Sequence, residues 1–185
     1  MNVYDFDKTI YKDDSSRDFY LFNLKKNPLI LRYGIRQLIA FIGYSMHLIT
    51  KTEMKTVFYT YFKSIKDMDK RVLEFWDKHE LNVFEYYFLQ KHPTDVIISA
   101  SPEFMLKPIC DKWGVNLIAS IVDKKTGYSK ENCYGEEKVK RFRELYPDAH
   151  VNSFYSDSLS DTPMAKLADE SFLVTPDGIV PWPKS

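Results

Sequence analysis

The sequence predicts an α/β protein with a doubly wound parallel sheet, that is, a sheet covered by helices on both faces. Short apolar segments alternate with helical patterns after residue 93, and strands separated by helices pair in parallel. A further short apolar segment, residues 3–6, opens the chain and would join the same sheet. The other predicted strands are 96–99, 117–122, 151–156 and 172–174.

Residues 13–93 show helical spacing of apolar side chains and no strand pattern. We therefore expect a core formed by residues 1–12 and 94–185, and an all-helical cap inserted between them. The predicted helices of the insertion are 15–26, 28–49, 52–62 and 67–90. A polar loop precedes the first of these helices and can cap it.

Three helices are predicted in the core, at 102–113, 135–146 and 160–168. Gly114 would end the first of these, because glycine adopts the left-handed conformation that commonly closes a helix. Ser101 is a candidate cap for the same helix. The tail contains Pro176, Pro181 and Pro183, so we expect it to be extended.

Charge and cysteine content narrow the class of protein. The chain has 26 basic and 26 acidic residues in 185, and a net charge of zero gives no general attraction to nucleic acid. Cys110 and Cys133 are far apart without a metal-type spacing, which favours two reduced thiols. No signal-peptide pattern follows Met1. We therefore expect a cytoplasmic protein.

Residues 28–50 are rich in Leu, Ile, Phe and Tyr and raise the question of membrane contact. Arg32, Arg36 and His47 interrupt the segment, and the uncharged run 38–46 is far shorter than the ~20 residues that span a bilayer. We expect no transmembrane segment. A helix buried on one face and a helix lying on a membrane surface both remain open.

Two carboxylates follow the first predicted strand, in the stretch Asp5-Phe6-Asp7-Lys8-Thr9. Asp5 would lie at the carboxyl end of the strand, where open α/β sheets place their sites. Two acids held close together destabilise each other unless a cation or a proton separates them. Oxygen ligands of this kind suit Mg²⁺.

Three further polar sites fall near predicted strand ends. Ser99 is followed by Ala100, and this hydroxyl with the amides of the next turn could hold phosphate oxygens. Lys138 lies in the first turns of a helix and could neutralise a phosphate or the aspartates. Asp157 and Asp161 bracket a strand-to-helix turn, so one could bind a metal while the other acts through water or orients the lysine.

In this order the four sites resemble the four motifs of the haloacid dehalogenase (HAD) superfamily, in its phosphatase branch. The stretches 135–139 and 154–164 resemble the branch that contains phosphoserine phosphatase and related bacterial hydrolases with a helical cap. One departure is Ser158, where many relatives have glycine. The resemblance implies a HAD-like, Rossmann-type core.

The resemblance implies a Mg²⁺-dependent phosphatase with an aspartyl-phosphate intermediate. Asp5 would be the nucleophile and Asp7 the general acid and base. The Asp5 carboxylate, the Asp7 carbonyl and Asp157 would hold the metal. Ser99, Ala100 and Lys138 would bind the phosphate, with Thr9, Ser158 and Asp161 in supporting positions.

Substrate choice is expected to lie in the cap. A small phosphorylated metabolite such as phosphoserine is one candidate, and Asp14 stands at the spacing where phosphoserine phosphatases carry an acid for the substrate's ammonium. Asp14 is also a good helix cap. The apolar cap with Arg32 and Arg36 resembles relatives that act on lipid phosphates such as phosphatidylglycerophosphate, although mutual packing of the cap helices explains the same residues.

Two other functions remain open. A phosphotransferase would use the same residues and pass the phosphoryl group to an alcohol instead of water. A phosphate-binding regulatory protein could use the fold without turnover, but it would not need a second acid beside Asp5.

Overall fold

A computed structural model describes residues 1–183 of the protein, so residues 184 and 185 of the predicted core lie outside the described residues. A six-stranded sheet has the order β3-β2-β1-β4-β5-β6. The first five strands are parallel, and β6 pairs antiparallel with β5. The strands are β1 (Asn2–Tyr4), β2 (Val96–Pro102), β3 (Asn116–Ser120), β4 (Val151–Ser156), β5 (Ala168–Thr175) and β6 (Gly178–Pro181).

Helices cover both faces of this sheet, which confirms the predicted fold class. Val3 belongs to an apolar cluster that includes Phe142 of one helix. Tyr4, the next residue, points to the opposite face and belongs to the cluster that includes Leu106. The α-helices are α1 (Ser15–Lys26), α2 (Gly34–Ser45), α3 (Lys51–Phe58), α4 (Met68–His79), α5 (Glu85–Gln90), α6 (Glu103–Trp113), α7 (Glu136–Leu145) and α8 (Thr162–Ala165).

The segment between β1 and β2 contains helices α1 to α5 joined by 3₁₀ turns. Asp14 caps α1 by accepting a hydrogen bond from the backbone N–H of Arg17 at 2.9 Å. Thr50 and Glu53 form a reciprocal capping box at α3. The cap at Asp14 is one that the sequence predicts, whereas α3 begins at Lys51, one residue before its predicted start, with Thr50 as its cap.

Three predicted helices of the insertion are each divided into shorter elements, and the predicted helix 52–62 is α3 followed by a 3₁₀ segment, Tyr59–Ser64. The predicted helix 28–49 is a 3₁₀ segment, Pro28–Tyr33, followed by α2, which ends before His47 takes a left-handed conformation at φ +58°. The predicted helix 67–90 breaks at Val83 and Phe84, which are extended. The backbone N–H of Phe84 donates to the carbonyl of Ile10 at 2.8 Å, so a contact with the loop after β1 overrides the helical pattern.

The C-terminal end contains a strand that the sequence pattern did not predict. The predicted helix 160–168 is a 3₁₀ turn followed by the four-residue α8, and β5 begins at Ala168. Gly178, at φ +136°, allows the tight turn that brings β6 back along β5. Pro181 is tolerated because β6 is an edge strand. The expected extended tail is therefore partly a hairpin strand.

Mutual packing explains only part of the apolar content of the insertion. Phe19, Phe62 and Phe75 are fully buried or nearly so and lie in one cluster. In contrast, α2 buries only Ala40. Ile30 is fully buried, but nine large apolar side chains of the segment 29–48 are exposed, so mutual packing of the cap helices does not account for most of this segment. Among residues 1–183, no helix has both the length and the apolar character needed to span a bilayer.

Candidate active site

The strand order brings the first and fourth sequence motifs together. β1 lies between β2 and β4, and each of these strands ends at the same edge of the sheet. Asp5 follows β1 directly, and its backbone N–H donates to the carbonyl of Tyr155 in β4 at 2.8 Å. Asp157 follows β4. The two carboxylates thus lie at adjacent strand ends and line one cleft of about 190 Å³.

Lys138 connects two of the aspartates. From the first turn of α7 its Nζ donates to Oδ1 of Asp5 at 2.8 Å and to Oδ2 of Asp161 at 2.7 Å. The lysine is 1% exposed, and Ser156 also donates to Oδ2 of Asp161, at 2.8 Å. Burial raises the pKa of Asp5, and the ammonium of Lys138 opposes that shift. The lysine is therefore held as a buried cation between two acids.

Asp7 turns back toward the sheet and is held through both carboxylate oxygens. Its Oδ1 accepts from the backbone N–H of Ser15 at 2.7 Å, and its Oδ2 accepts from the hydroxyl of Ser101 at 2.6 Å. Burial, with a further contribution from the charge of Asp14, raises the pKa of Asp7 to about 7. A carboxyl group with such a pKa can both donate and accept a proton near neutral pH.

The contact from Ser101 corrects its predicted role as a helix cap. The residue before α6 is Pro102, and no side chain caps that helix. Ser101 is 2% exposed and reaches Asp7 from the end of β2. The sequence placed Ser101 near the site but could not show that its hydroxyl points to the first motif.

Thr9 links the loop after β1 to the loop after β4. Its hydroxyl accepts a hydrogen bond from the backbone N–H of Asp157 at 3.0 Å, and Thr9 is fully buried. Lys8 takes φ +55°, a left-handed conformation that closes the tight loop between Asp7 and Thr9. The threonine thus fixes the position of Asp157 relative to Asp5.

Replacing Thr9 with valine is expected to lower the free energy of unfolding by about 1–3 kcal/mol, because the N–H of Asp157 loses its acceptor in a partly buried position. Thr9→Ser keeps the hydroxyl and is the matched control. Chemical denaturation of the two variants measures the difference. Equal stability of Thr9→Val and wild type would contradict the role assigned to this bond.

Ser99, a predicted phosphate contact, is not among the residues that line the cleft. Ser99 is fully buried and its hydroxyl accepts from the backbone N–H of Ser101 at 3.1 Å, while Ala100 lines the cleft. Ser158 also lines the cleft, and its φ of −127° is ordinary extended backbone. Serine therefore fits where many relatives carry glycine.

Two lysines of α3 line the same cleft and were missed by the sequence analysis. Lys51 lies 3.5 Å from the ring centroid of Tyr134, and Lys55 donates to the carbonyl of Ala100 at 2.7 Å and to Asn132 at 3.2 Å. Burial, with the nearby charge of Lys51, lowers the pKa of Lys55 to about 8. Lysines four residues apart on a short helix look like surface charges, so only the fold reveals their position.

The structure does not bring all predicted cap residues to the site. Asp14 lines the cleft in addition to capping α1. Arg32 instead donates to the hydroxyls of Tyr33 and Ser64, at 2.8 and 3.0 Å. Neither Arg32 nor Arg36 is among the residues that line the cleft.

The carboxylates fit a Mg²⁺ ion. Asp5 and Asp157 line the same cleft, and burial, with the charge of Asp5 as the next cause, raises the pKa of Asp157 to about 6. Oδ1 of Asp161 is buried without a hydrogen-bond partner. Within residues 1–183 no group of three or more His, Cys, Asp or Glu side chains is arranged to hold a metal. Two carboxylates and a backbone carbonyl suffice for Mg²⁺, which keeps several waters.

Comparison with known proteins agrees with this geometry. The model of the family described as haloacid dehalogenase-like hydrolase matches residues 3–166, from β1 to just beyond α8, and so contains every residue of the site. The chain belongs to this family. The HAD-like hydrolase is also 37% identical over 92 residues to a probable phosphatase of Mycobacterium tuberculosis, a match that covers 44% of this chain and 32% of the relative.

Solved structures share the fold of this HAD-like hydrolase. A Bordetella pertussis protein of unknown function has a TM-score of 0.77 at 17% identity, covering 96% of this chain and 91% of that one. A phosphoserine phosphohydrolase-like protein of Francisella tularensis has a TM-score of 0.56 at 15% identity, covering 92% and 86%. The matches to curated relatives span only 37% and 32% of those proteins' lengths.

Proposed function

We propose that this HAD-like hydrolase is a Mg²⁺-dependent phosphomonoester hydrolase that acts through a phosphoryl group on Asp5. The observation that carries the proposal is the arrangement around Asp5. Its carboxylate contacts Lys138 at 2.8 Å, and it lines the same cleft as Asp7, whose pKa is raised to about 7. A nucleophile, a proton donor and a buried cation are the groups that phosphoryl transfer requires.

The reaction needs two steps. An oxygen of Asp5 forms a bond to phosphorus while the bond from phosphorus to the leaving alkoxide breaks, and Asp7 gives its proton to that alkoxide. A water molecule then attacks the phosphorus, Asp7 takes a proton from it, and the bond to Asp5 breaks. Free phosphate is released, and both aspartates return to their starting states.

Positive charge around the cleft would stabilise the phosphoryl oxygens. Lys138 is fixed by Asp5 and Asp161, while Lys51 and Lys55 bring two further cations from the cap. Mg²⁺, when bound by Asp5, the Asp7 carbonyl and Asp157, would reduce the repulsion between the nucleophile and the anionic substrate. Ser99 and the amides beside Ala100 are the proposed phosphate contacts from β2.

Replacing Asp7 with asparagine is expected to reduce kcat/KM by about 10²–10⁴-fold for an alkyl phosphate, because the poor leaving group needs the proton. The kcat/KM for p-nitrophenyl phosphate is expected to fall much less, because the leaving group of this substrate needs no proton. Steady-state kinetics with both substrates measure the contrast. Equal losses for the two substrates would contradict the role of Asp7 as general acid.

A small phosphorylated metabolite such as phosphoserine is the first substrate candidate, and the cleft of about 190 Å³ suits a small phosphate ester. A lipid phosphate is favoured by a second observation. An adjoining cleft of about 230 Å³ has Asp7 in its wall together with the apolar side chains of Phe41, Met54 and Phe58. An acyl chain could lie there while the phosphate reaches Asp5.

Phosphate release from phosphoserine and from phosphatidylglycerophosphate in detergent micelles, measured side by side with Mg²⁺, distinguishes the two candidates. Release from the lipid alone assigns the apolar cleft to the substrate, and release from phosphoserine alone returns Asp14 to substrate binding. Adding alcohols to the same assay detects phosphotransfer as a changed ratio of phosphate to dephosphorylated product. Binding of phosphate with no turnover of any ester would favour a regulatory protein instead.

A further inference from the structure

The insertion exposes an apolar surface, none of whose residues lines the cleft of Asp5. Nine large apolar side chains of the segment 29–48 are exposed, out of 21 such side chains in the described residues. We call this surface the apolar cap face. It consists of Leu29, Leu31, Ile35, Leu38, Ile39, Phe41, Ile42, Met46 and Leu48.

The central residues of the apolar cap face form a continuous stripe. Each of these residues lies three or four positions from another member of the set, which places the set on one side of α2 and its C-terminal end: Ile35, Leu38, Ile39, Ile42 and Met46. Their exposed fractions run from 48% to 75%. Single exposed apolar residues are common on soluble proteins, but a patch of this extent marks an interaction surface.

The charges within the segment that carries this face have one sign. Residues 19–52 contain five Lys or Arg residues and no Asp or Glu, although the whole chain has equal numbers of acidic and basic residues. Arg32 and Arg36 lie within the segment that carries the face, and Lys51 follows it. An apolar helix face with basic residues around it is the pattern of helices that lie in the interface of anionic membranes.

A second copy of the chain fits this surface less well. In a two-fold contact the same patch meets itself, so Arg32 and Arg36 would approach their own counterparts without any acid from the segment to compensate them. An anionic bilayer offers apolar chains to the stripe and negative headgroups to the arginines. Phe41 also belongs to the wall of the cleft that contains Asp7, so the face is continuous with a cavity leading into the protein.

We propose that the apolar cap face docks the protein on the surface of an anionic lipid bilayer, with α2 parallel to the membrane plane. The docking does not depend on phosphatase activity, since none of the stripe residues lines the cleft of Asp5. It would place the cleft beside Phe41 next to the lipid phase.

Co-sedimentation of the full chain with vesicles tests the proposal without any substrate. Wild-type protein is expected to bind vesicles of equal parts phosphatidylcholine and phosphatidylglycerol at least about tenfold more tightly than pure phosphatidylcholine, and to release from them as salt is raised. The triple variant Ile35→Gln/Leu38→Gln/Ile39→Gln is expected to lose at least about tenfold in binding. Its three positions are exposed, and glutamine is a good helix former.

The matched control is Leu81→Gln/Leu89→Gln/Leu145→Gln, which makes the same chemical change at exposed positions outside the face. The control is expected to bind vesicles as wild-type protein does. The single variant Ile35→Gln, which replaces the triple variant if that protein folds poorly, is expected to show a smaller loss of vesicle binding. Absence of binding by wild-type protein, or an equal loss in the control, would overturn the proposal. A dimer that ignores vesicles and dissociates in the triple variant would assign the face to self-association instead.

Discussion

Asp5→Asn is expected to abolish turnover, with kcat reduced by at least about 10⁴-fold, because an amide does not form the bond to phosphorus that the first step requires. The variant is expected to fold, since the amide oxygen can still accept the hydrogen bond that Lys138 makes at 2.8 Å. Phosphate release with Mg²⁺ measures the activity, and thermal unfolding confirms that the chain is folded.

Asp13→Asn is the matched control for this experiment. Asp13 is an exposed aspartate eight residues further along the chain, and it does not line the cleft. The control is expected to keep full activity. Asp5→Asn protein with more than a few per cent of wild-type turnover would contradict the assignment of the nucleophile.

Lys138→Met is expected to lower the free energy of unfolding by about 3–5 kcal/mol, the largest loss of stability that we predict. The lysine is 1% exposed and is the partner of two buried carboxylates, Asp5 and Asp161, which would face each other without a cation. Turnover is expected to be lost as well. Chemical denaturation in the presence of a chelator measures the stability without any contribution from metal.

The loss caused by Lys138→Met is expected to depend on pH. Burial already raises the pKa of Asp5, and removing the ammonium raises it further. The pKa of an Asp carboxyl group in the unfolded chain is about 3.9. When the pKa in the folded protein is higher, the protein loses stability as the pH rises from the unfolded-state pKa to the folded-state pKa. The difference in free energy of unfolding between wild type and Lys138→Met should therefore be larger at pH 8 than at pH 5.

Two companion variants test the electrostatic explanation. Adding Asp161→Asn to Lys138→Met removes one of the two carboxylates and is expected to recover part of the stability. Lys140→Met changes a lysine two residues away whose side chain is 58% exposed, and it is expected to alter stability by less than about 0.5 kcal/mol. A pH-independent loss in Lys138→Met, unchanged by Asp161→Asn, would show that packing and not charge is responsible.

The sequence predicted β1 to β4 because their apolar signals are local and most of their residues are buried, whereas the exposed edge strand β6 has no such signal and was missed. The strand at 151–156 was predicted at its observed bounds, Val151–Ser156. The order and spacing of the motifs predicted that Asp5, Lys138 and Asp157 would meet, since parallel strands end at one edge of the sheet. The family comparison confirms the resemblance, and the individual catalytic roles stay predictions.

Contacts between distant segments could not be predicted in the same way. The bond from Ser101 to Asp7 joins residues 94 positions apart, and the position of Lys55 depends on how α3 lies over the ends of the strands. The break at Val83 arises from pairing with the loop after β1. The sequence left open whether the segment of α2 is buried, because an amphipathic pattern does not show whether a partner element covers the apolar face.

The most direct test of the account is to locate the phosphoryl group on the protein. Asp7→Asn protein lacks the base for the second step, so it is expected to accumulate the phosphorylated form when mixed with p-nitrophenyl phosphate and Mg²⁺. Acid quenching followed by peptide mass spectrometry should find one phosphoryl group on Asp5. A phosphoryl group on another residue, or release of one equivalent of p-nitrophenol by Asp7→Asn protein with no phosphorylated peptide, would contradict the proposed mechanism.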